Sequence, residues 1–466
     1  MDGHEIIEVS YKKLEEIIDY RIEAEYFSKK YIKNEQLLSK ICCKKFSTIA
    51  NAVNGSAYSS EAFSQDGDLY ISKIGDVTNK RGVENWDKLD IQEFKNQKGE
   101  LLTDGDILMT LTGDPPDVGK VNLISIGEKE CTWNQRVAKI TTLTGDYRSN
   151  YALYAVLSSE LCRVQMERFA KGIRQRNLGN DCFSFIDIPV FNEDLQKQLE
   201  CLIKKHIQLQ EESKKIYLEA ERELENCIGI MQETQTKQST VKSFKDSFEK
   251  TGRFDSEYYH PQYEIIENQI KGENTVLNSC QLYDSNYLPC DTETYQYIEL
   301  ANVDAIGGII APELILGKDL PTRARRMVKK GQVIMSSIEG SLQSCALITE
   351  AFDNSLCSTG FFVLDSSKYN AETLLVMFKS PPIQALLKKR CSGTILTGIS
   401  KEEFLKMPLP EIDSNIQIRI KEKISKSYEH RKISNDLLEI ATKAVEIAVK
   451  QNEATAIEWL KEKGVE

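Results

Sequence analysis

The stretch Thr112 to Val121, "TGDPPDVGKV", holds residue types that could do chemistry. Gly113, Gly119 and Lys120 suggest a phosphate-binding P-loop. Such a loop needs four residues between its first glycine and the Gly-Lys pair, followed by a Ser or Thr that holds magnesium. Five residues intervene here, and Val121 follows the lysine. The spacing therefore argues against a P-loop nucleotidase.

Two other catalytic motifs also fail in this stretch. Asp114-Pro-Pro resembles the motif of amino-directed DNA methyltransferases, but Asp117 stands where an aromatic residue should stack on the flipped base. The chain contains no Gly-x-Gly for the nucleotide part of a methyl donor. A nuclease would need Glu-x-Lys after Pro116-Asp117, and the sequence has Glu128-Lys-Glu instead. We therefore expect a polar turn between two strands, in a chain that is not an enzyme.

Cysteine and histidine usage excludes further classes. The 12 cysteines are scattered apart from the pair Cys42-Cys43, no Cys-x-x-Cys occurs, and there are only four histidines. This pattern predicts reduced thiols, no metal site and no cofactor. The first residues are too charged for a secretory signal, and no apolar run is long enough to cross a bilayer. The expected location is the cytoplasm.

Length and charge narrow the possibilities. With 466 residues, 41% of them hydrophobic, the chain should form two or three globular domains. The net charge of −11 argues against a free-standing DNA-binding protein, because phosphate contacts need Lys and Arg. Two basic runs nevertheless stand out, "RVQMERFAKGIRQR" at 163–176 and "PTRARRMVKKG" at 321–331. Each is a solvated face unless the two occupy related domains.

The sequence contains an internal repeat. "RIEAEYFSKKY" (21–31) returns as "RFDSEYYHPQY" (253–263), and "DGDILMTL" (104–111) returns as "KGQVIMSS" (330–337). Further matches, including "IDIPVF" (186–191) with "LKMPLP" (405–410), keep the same order while the offset shrinks from 232 to 221. This is the behaviour of two copies that differ by a few loop deletions.

Each copy has the same predicted plan. Short β-branched runs separated by Gly and Asp predict strands and turns, followed by a helix (150–171 and 371–390) and a proline-marked strand. A long charged helix with a heptad seam then ends each copy. The predicted seams are Leu195, Leu199, Leu202, His206, Leu209, Ser213, Ile216 and Ala220 in the first helix, and Ile433, Leu437, Ile440, Ala444 and Ile447 in the second. We expect an intramolecular antiparallel coiled coil.

These residues resemble the specificity (S) subunits of type I restriction–modification systems. The resemblance rests on "RIEAEYF" with "RFDSEYY", on "GDILMTLTG…VGKV" with "GQVIMSSIEGSL", on "STGFFVL" (358–364) and on "FLKMPLP" (404–410). It implies an α+β fold with two repeated α/β target-recognition domains, separated by two long antiparallel helices that form a coiled coil. The implied domains are 1–191 and 251–412, with a central helix at 192–250 and a C-terminal helix at 413–466.

The resemblance also implies a function and partners. Each domain would read one half of a bipartite site in double-stranded DNA, and the helices would dock two methyltransferase subunits and, through the complex, the restriction/translocase subunits. The chain itself would be non-catalytic and would serve DNA methylation and phage defence. Two alternatives stay open: the specificity subunit of a related non-type-I system, and a coiled-coil scaffold that does not bind DNA.

Candidate DNA-binding residues come from both copies, and the basic runs supply most of them. They are Lys120, Arg136, Lys171, Arg174, Arg176, Arg323, Arg325, Arg326, Gln343 and Arg390. The arginine–tyrosine openings are expected to anchor each domain to the long helices. Those opening residues are Arg21, Glu25, Tyr26, Arg253, Glu257 and Tyr258.

Overall fold

A computed structural model describes residues 8–10, 12, 21–63, 66–80, 82–115, 117–143, 145–172, 175–229, 240–270, 272–304, 306–310, 312–393 and 397–465. Packing divides the chain into a first unit, Met1–Gln210 with Lys432–Glu466, and a second unit, Glu211–Arg431. Both divisions fall inside long helices. The sequence predicts boundaries after residues 191, 250 and 412, where the long helices begin or end. Packing instead divides each long helix between the two units.

Two sheets form the strand framework of the first unit. A four-stranded antiparallel sheet has the order β2-β9-β5-β7, and a three-stranded sheet has the order β4-β3-β8 with β3 and β8 parallel. The strands are β1 Cys43–Lys45, β2 Ala50–Asn54, β3 Leu69–Ser72, β4 Asp87–Leu89, β5 Ile107–Thr110, β6 Thr112–Gly113, β7 Val121–Leu123, β8 Cys131–Trp133, β9 Val137–Thr142, β10 Arg176–Asn177 and β11 Asp187–Pro189.

The second unit repeats this topology. Its sheets have the orders β12-β19-β16-β17 and β14-β13-β18-β15, and the pair β13–β18 is again parallel. Within these two sheets, the edge strand β15 has no counterpart in the three-stranded sheet of the first unit. The strands are β12 Gln281–Leu282, β13 Thr294–Ile298, β14 Glu313–Leu316, β15 Ala324–Met327, β16 Val333–Ser336, β17 Cys345–Leu347, β18 Leu356–Ser358, β19 Phe361–Asp365, β20 Cys391–Ser392 and β21 Gly398–Ile399.

Helices cover the four-stranded sheets. In the first unit, Ser149 caps the helix Asn150–Leu157 through the Ala152 N–H, and residues 152–157 of this helix are all buried in the core. The matching helix Ala371–Lys379 is capped by Asn370. The remaining α-helices are Lys29–Leu38, Phe46–Ile49, Ile74–Thr78, Ile91–Asn96, Glu160–Phe169, Glu193–Ile228, Phe248–Thr251, Pro261–Gln269, Val276–Ser279, Pro381–Lys389, Lys401–Leu405, Ser414–Lys450 and Glu453–Glu462. The predicted α+β class with two repeated domains and two long helices is confirmed.

The long helices Glu193–Ile228 and Ser414–Lys450 meet through small and polar side chains. In the first unit, His206 Nδ1 lies 2.8 Å from the Ser434 carbonyl oxygen, and Ser434 Oγ donates to the His206 carbonyl at 2.9 Å. In the second unit, Ser213 and Ser427 donate to each other's carbonyl oxygens at 2.8 and 2.7 Å. Later residues of one helix bond to earlier residues of the other, so the predicted antiparallel packing is present in the second unit as well, where Glu223 pairs with Arg419.

Most predicted seam residues of the central helix are buried, whereas the buried face of the C-terminal helix is displaced from the predicted seam. Tyr217 is buried where Ile216 was expected, and Ile433 is 42% exposed whereas Ser434 is fully buried. Because close approach of two helices favours small residues, the larger Leu437, Ile440 and Ile447 flank the contact and are only partly buried. Ala444 lies in the core, as do the predicted Leu195, Leu199, Leu202, Leu209 and Ala220.

Both long helices end earlier than the sequence suggested. The central helix ends at Ile228, and Gly229 follows with φ of +69°, the left-handed conformation that terminates many helices. The C-terminal helix ends at Lys450, because Asn452 caps a separate helix by accepting the Thr455 N–H at 2.8 Å. Among the described residues, no helix is long and apolar enough to span a membrane.

Candidate nucleic-acid interface

Three chain segments of the first unit meet at one end of its four-stranded sheet. Leu111, just after β5, donates its N–H to the Arg136 carbonyl in the β8–β9 turn at 2.9 Å. Its own carbonyl accepts the Leu178 N–H at 2.7 Å, and β10 pairs with β6 beside it. These bonds bring the 134–136 turn together with residues 176–178. We call this junction the first loop edge.

The second unit builds the equivalent junction. Ser337, just after β16, donates its N–H to the Gly360 carbonyl in the β18–β19 turn at 2.9 Å, and its carbonyl accepts the Ile399 N–H at 2.8 Å. The same turn is tied to the basic strand, since Thr359 donates its N–H to the Arg323 carbonyl at 2.8 Å. We call this junction the second loop edge. Each unit thus presents an arginine beside the same turn.

Two glycines of matched conformation precede β10 and β21 at the two loop edges. Gly172 has φ of +126° and Gly393 has φ of +127°, a region that side chains disfavour. A Cβ on Gly172 would lie 2.3 Å from the Gln175 carbonyl oxygen. The two glycines align at the offset of 221 between the copies. The pair can therefore be found in the sequence by aligning the two copies, although no role was predicted for either glycine.

The "TGDPPDVGKV" segment is a tight turn between β5 and β7, as predicted, with the short strand β6 at its start. Asp117 donates its N–H to the Asp114 carbonyl at 2.8 Å, and Gly119 donates to the Thr110 carbonyl at 2.9 Å. Lys120 Nζ lies 2.7 Å from Asp117 Oδ1. Its ammonium group therefore forms an ion pair within its own turn, with both side chains more than a third exposed.

Arg136 and Arg323 are the candidates best placed to meet DNA. Both are exposed, and neither forms an ion pair with a carboxylate in the part of the chain that the structure describes. An exposed guanidinium without a partner can bind a phosphate or a guanine edge with two parallel hydrogen bonds. Arg136 lies in the β8–β9 turn, and the Arg323 carbonyl accepts a hydrogen bond from the equivalent β18–β19 turn, so each unit has an exposed arginine at this edge.

Strand β15 adds cations to the second loop edge only. Arg325 and Arg326 are half-buried on this strand, and Nε and Nη1 of Arg326 are buried without a hydrogen-bond partner among the described residues. Gln343 is exposed on the β16–β17 loop. Since donors held out of water without a partner are costly, Arg326 is a group whose hydrogen bonding a ligand could complete.

Two of the candidate arginines belong to the interior. Arg176 is 8% exposed and pairs with Glu25, and Arg390 is 7% exposed and pairs with Glu267 at 3.0 Å. Both also donate to helix carbonyls. We therefore remove them from the candidate interface. Lys171 pairs with Asp181 at 2.9 Å beside the first loop edge, and Arg174 lies outside the described residues.

Two helix pairs, Asn150–Leu157 with Glu160–Phe169 and Ala371–Lys379 with Pro381–Lys389, lie beside the arginine–tyrosine openings. Among the described residues, the openings make polar and ring contacts with these pairs and with the residues just after them, and none with a long helix. Arg21 donates to the Ala170 carbonyl, and its guanidinium lies 4.8 Å from the centre of the Tyr26 ring. Arg253 makes the equivalent contacts with Cys391 and with Tyr258, at 4.4 Å from the ring centre. The openings therefore fix the chain at Ala170 and Cys391, just before the two glycines. This corrects the expectation that they anchor each domain to the long helices.

The described residues contain no group of three or more His, Cys, Asp or Glu that could hold a metal ion. Burial raises the pKa of the thiols of Cys162 and Cys345 to about 12, so both stay protonated and unreactive at neutral pH.

Several solved structures are similar to this chain, whereas no protein-family model and no curated protein matches it. The S subunit of a type I restriction–modification system from M. genitalium is 14% identical, with 88% of this chain and 95% of that chain covered and a TM-score of 0.36. A chain from a study of complex assembly and conformational transition of the type I R-M system is 10% identical, with 88% and 98% covered and a TM-score of 0.29. The HsdS subunit from Thermoanaerobacter tengcongensis is 10% identical, with 88% and 97% covered and a TM-score of 0.28.

Proposed function

We propose that the chain is the DNA sequence-specificity subunit of a type I restriction–modification complex. The observation that carries the proposal is the duplicated loop edge. Each copy has an exposed arginine, Arg136 or Arg323, that forms no ion pair with a carboxylate among the described residues. Two related but non-identical edges suit a DNA site made of two different halves. The chain's part is recognition, and it supplies no catalytic group.

Arginine is the side chain that this task requires. Phosphate contacts fix the position of a protein on the duplex, and contacts to base edges select the sequence. A guanidinium can do either, since it binds a phosphate or the O6 and N7 atoms of guanine. Arg326 on β15 has two donors, Nε and Nη1, without a partner among the described residues. It gives the second edge a further contact, through which that edge can read a different half-site.

The overall acidity is compatible with this role if partners contribute cations. The net charge of −11 weakens binding by the isolated chain through general repulsion from phosphate. Two methyltransferase subunits docked on the long helices would enclose the DNA and supply much of the missing positive charge, and the restriction/translocase subunits would join through them.

Selection from a randomised duplex pool tests the proposal. The full chain is mixed with its methyltransferase subunits, the bound DNA is recovered, and the selected duplexes are sequenced. We expect one bipartite sequence, with two short specified blocks around an unread spacer of fixed length. A pool that returns no enriched sequence would contradict the proposal and favour a scaffold.

The composition of the partner subunits distinguishes a type I system from the related non-type-I alternative. If the chain assembles with one polypeptide that carries both methyltransferase and nuclease activity, the same bipartite sequence should be selected. If it assembles with separate subunits, methylation without cleavage should be recovered from the chain and the methyltransferase subunits alone.

A further inference from the structure

A cavity of about 410 Å³ opens on the first unit between the first-unit domain and the second half of the C-terminal long helix. Sites for small molecules are roughly 300–1,000 Å³ in volume. The cavity walls come from the end of the helix Ile74–Thr78, the turn before β7, the junction of the helix pair, and residues 435–442. All of these belong to one packed unit.

Three cations line this cavity, namely Lys80, Lys120 and Arg163. Lys120 pairs with Asp117 at 2.7 Å and Arg163 with Glu160 at 2.7 Å, both as exposed pairs. Exposed pairs of this kind are weak, so an incoming anion can compete for the cations. Lys80 has no carboxylate partner among the described residues, and its φ of +49° is uncommon for a residue with a side chain.

Buried polar atoms without partners lie beside these cations. Ser158 Oγ, on the cavity wall, has no hydrogen-bond partner in the described part of the chain, and the same holds for Tyr154 Oη and His206 Nε2. Tyr154 is one turn before Ser158, and the Lys80 ammonium lies 5.7 Å from the centre of its ring. A buried polar group without a protein partner is one whose hydrogen bonding a bound molecule can complete.

The second unit places larger side chains at the positions equivalent to those that line the cavity. At the offset of 221, Lys379 stands where Ser158 is, Tyr217 where Leu438 is and Glu221 where Thr442 is. Lys379 is 4% exposed and donates to the Gln343 carbonyl at 2.7 Å, and Tyr217 is 3% exposed. In the second unit these larger side chains occupy the positions that line the cavity of the first unit, so the cavity is a feature of the first unit and not of the repeated fold.

We propose that this cavity binds a small organic phosphate. Its phosphate would lie among Lys80, Lys120 and Arg163, where guanidinium and ammonium groups form charge-assisted hydrogen bonds with phosphate oxygens. Ser158 Oγ would complete its hydrogen bonding on the molecule, and the carbon skeleton would pack on Leu438 and the neighbouring apolar wall. This inference goes beyond DNA recognition and does not depend on it.

Calorimetric titration of the full chain with AMP, ribose 5-phosphate and inorganic phosphate tests the proposal. We expect at least one of the two organic phosphates to bind at least tenfold more tightly than inorganic phosphate, because only they contact both walls. Lys80→Met should weaken that binding at least tenfold. Ser158→Lys, which introduces the residue of the second copy, should abolish it by filling the space. Lys33→Met, which removes an exposed lysine from another helix, is the matched control and should bind as the unaltered chain does.

Thermal unfolding without added phosphate establishes that each variant is folded. Binding of none of the three probes overturns the proposal, and so does undiminished binding by folded Lys80→Met and Ser158→Lys proteins. If Lys80→Met instead changes only the salt dependence of DNA binding, the cavity meets the DNA backbone and the proposal is again overturned.

Discussion

Gln196 and Gln417 make the same three hydrogen bonds at the first turn of the two long helices. Each side-chain NH2 group donates to two backbone carbonyls, and each side-chain oxygen accepts one backbone N–H. The partners are Asp146, Phe191 and Arg148 in the first unit and Lys368, Ile412 and Asn370 in the second. Each glutamine therefore joins a long helix to the segment that enters its helix pair.

Gln196→Ala and Gln417→Ala should each destabilise the chain by about 2–4 kcal/mol, because buried carbonyls and an N–H lose their partners. Thermal or urea unfolding measures the loss, and the two values should agree within about 1 kcal/mol, since the bonds are equivalent. Gln92→Ala, at an exposed position, is the control and should change stability by less than about 0.5 kcal/mol. A neutral effect at either buried site would refute the shared role.

His206 predicts a pH dependence of stability. Burial lowers the pKa of this side chain to about 4, with a smaller contribution from the charge of Lys80. The unfolded chain has a histidine pKa of about 6.5, so between pH 6.5 and 4 it binds a proton that the folded chain rejects. Stability should fall by about 3 kcal/mol through this window as the pH decreases.

His206→Gln isolates this titration from that of the other groups. The variant should be less stable than the unaltered chain at pH 7.5, and the difference in unfolding midpoint should shrink as the pH falls towards 4. The exposed-lysine variant Lys33→Met serves as a control for general effects of charge. A difference that stays constant from pH 7.5 to 4 would mean that His206 is not the neutral buried group described above.

The openings of the two copies should differ in their stabilising contribution. Tyr26 is 4% exposed and lies between Arg21 and Arg168, so Tyr26→Ala should cost roughly 3–5 kcal/mol. Tyr258 is only half-buried, and Tyr258→Ala should cost about half as much. Unfolding experiments on both variants give the comparison. Equal losses would show that exposure does not determine the contribution of these rings.

Arg136→Ala and Arg323→Ala test the two loop edges separately. If either arginine contacts phosphate, its removal should reduce the slope of log Kobs against log salt by about one; if it contacts a base, specificity should relax at one position of one half-site. Binding is measured with the assembled complex across a salt series. Lys318→Ala, at an exposed lysine of the second unit, should leave both quantities unchanged.

The repeat and its elements could be read from the sequence because they depend on local patterns. The match of "DGDILMTL" with "KGQVIMSS" aligns β5 with β16 residue for residue. The seam of the C-terminal helix could not be read in the same way. Ser434 is fully buried and its hydroxyl is satisfied by a residue of the other long helix, whereas a search for large apolar residues favours Ile433 instead.

The basic runs show a second limit of the sequence. Arg174 and Arg176 are two residues apart in the same run, yet Arg176 is an interior side chain paired with Glu25. Its partner is 151 positions away along the chain, so no local pattern reports the pairing. Arg136 presents the opposite case, because it lies outside the basic runs and yet is a predicted candidate that the structure leaves exposed in the β8–β9 turn.

The position of β15 at the margin of its sheet has a consequence for solubility. An outermost strand has unpaired backbone groups that can pair with a strand of another molecule, and charged side chains along it oppose such pairing. Arg325 and Arg326 are charged residues on this strand, in a protein that already contains exposed apolar residues such as Leu314 on the opposite margin of the same sheet. Neutralising these arginines should therefore promote self-association, so a loss of DNA binding in such variants can be interpreted only when light scattering shows that the protein is still monodisperse.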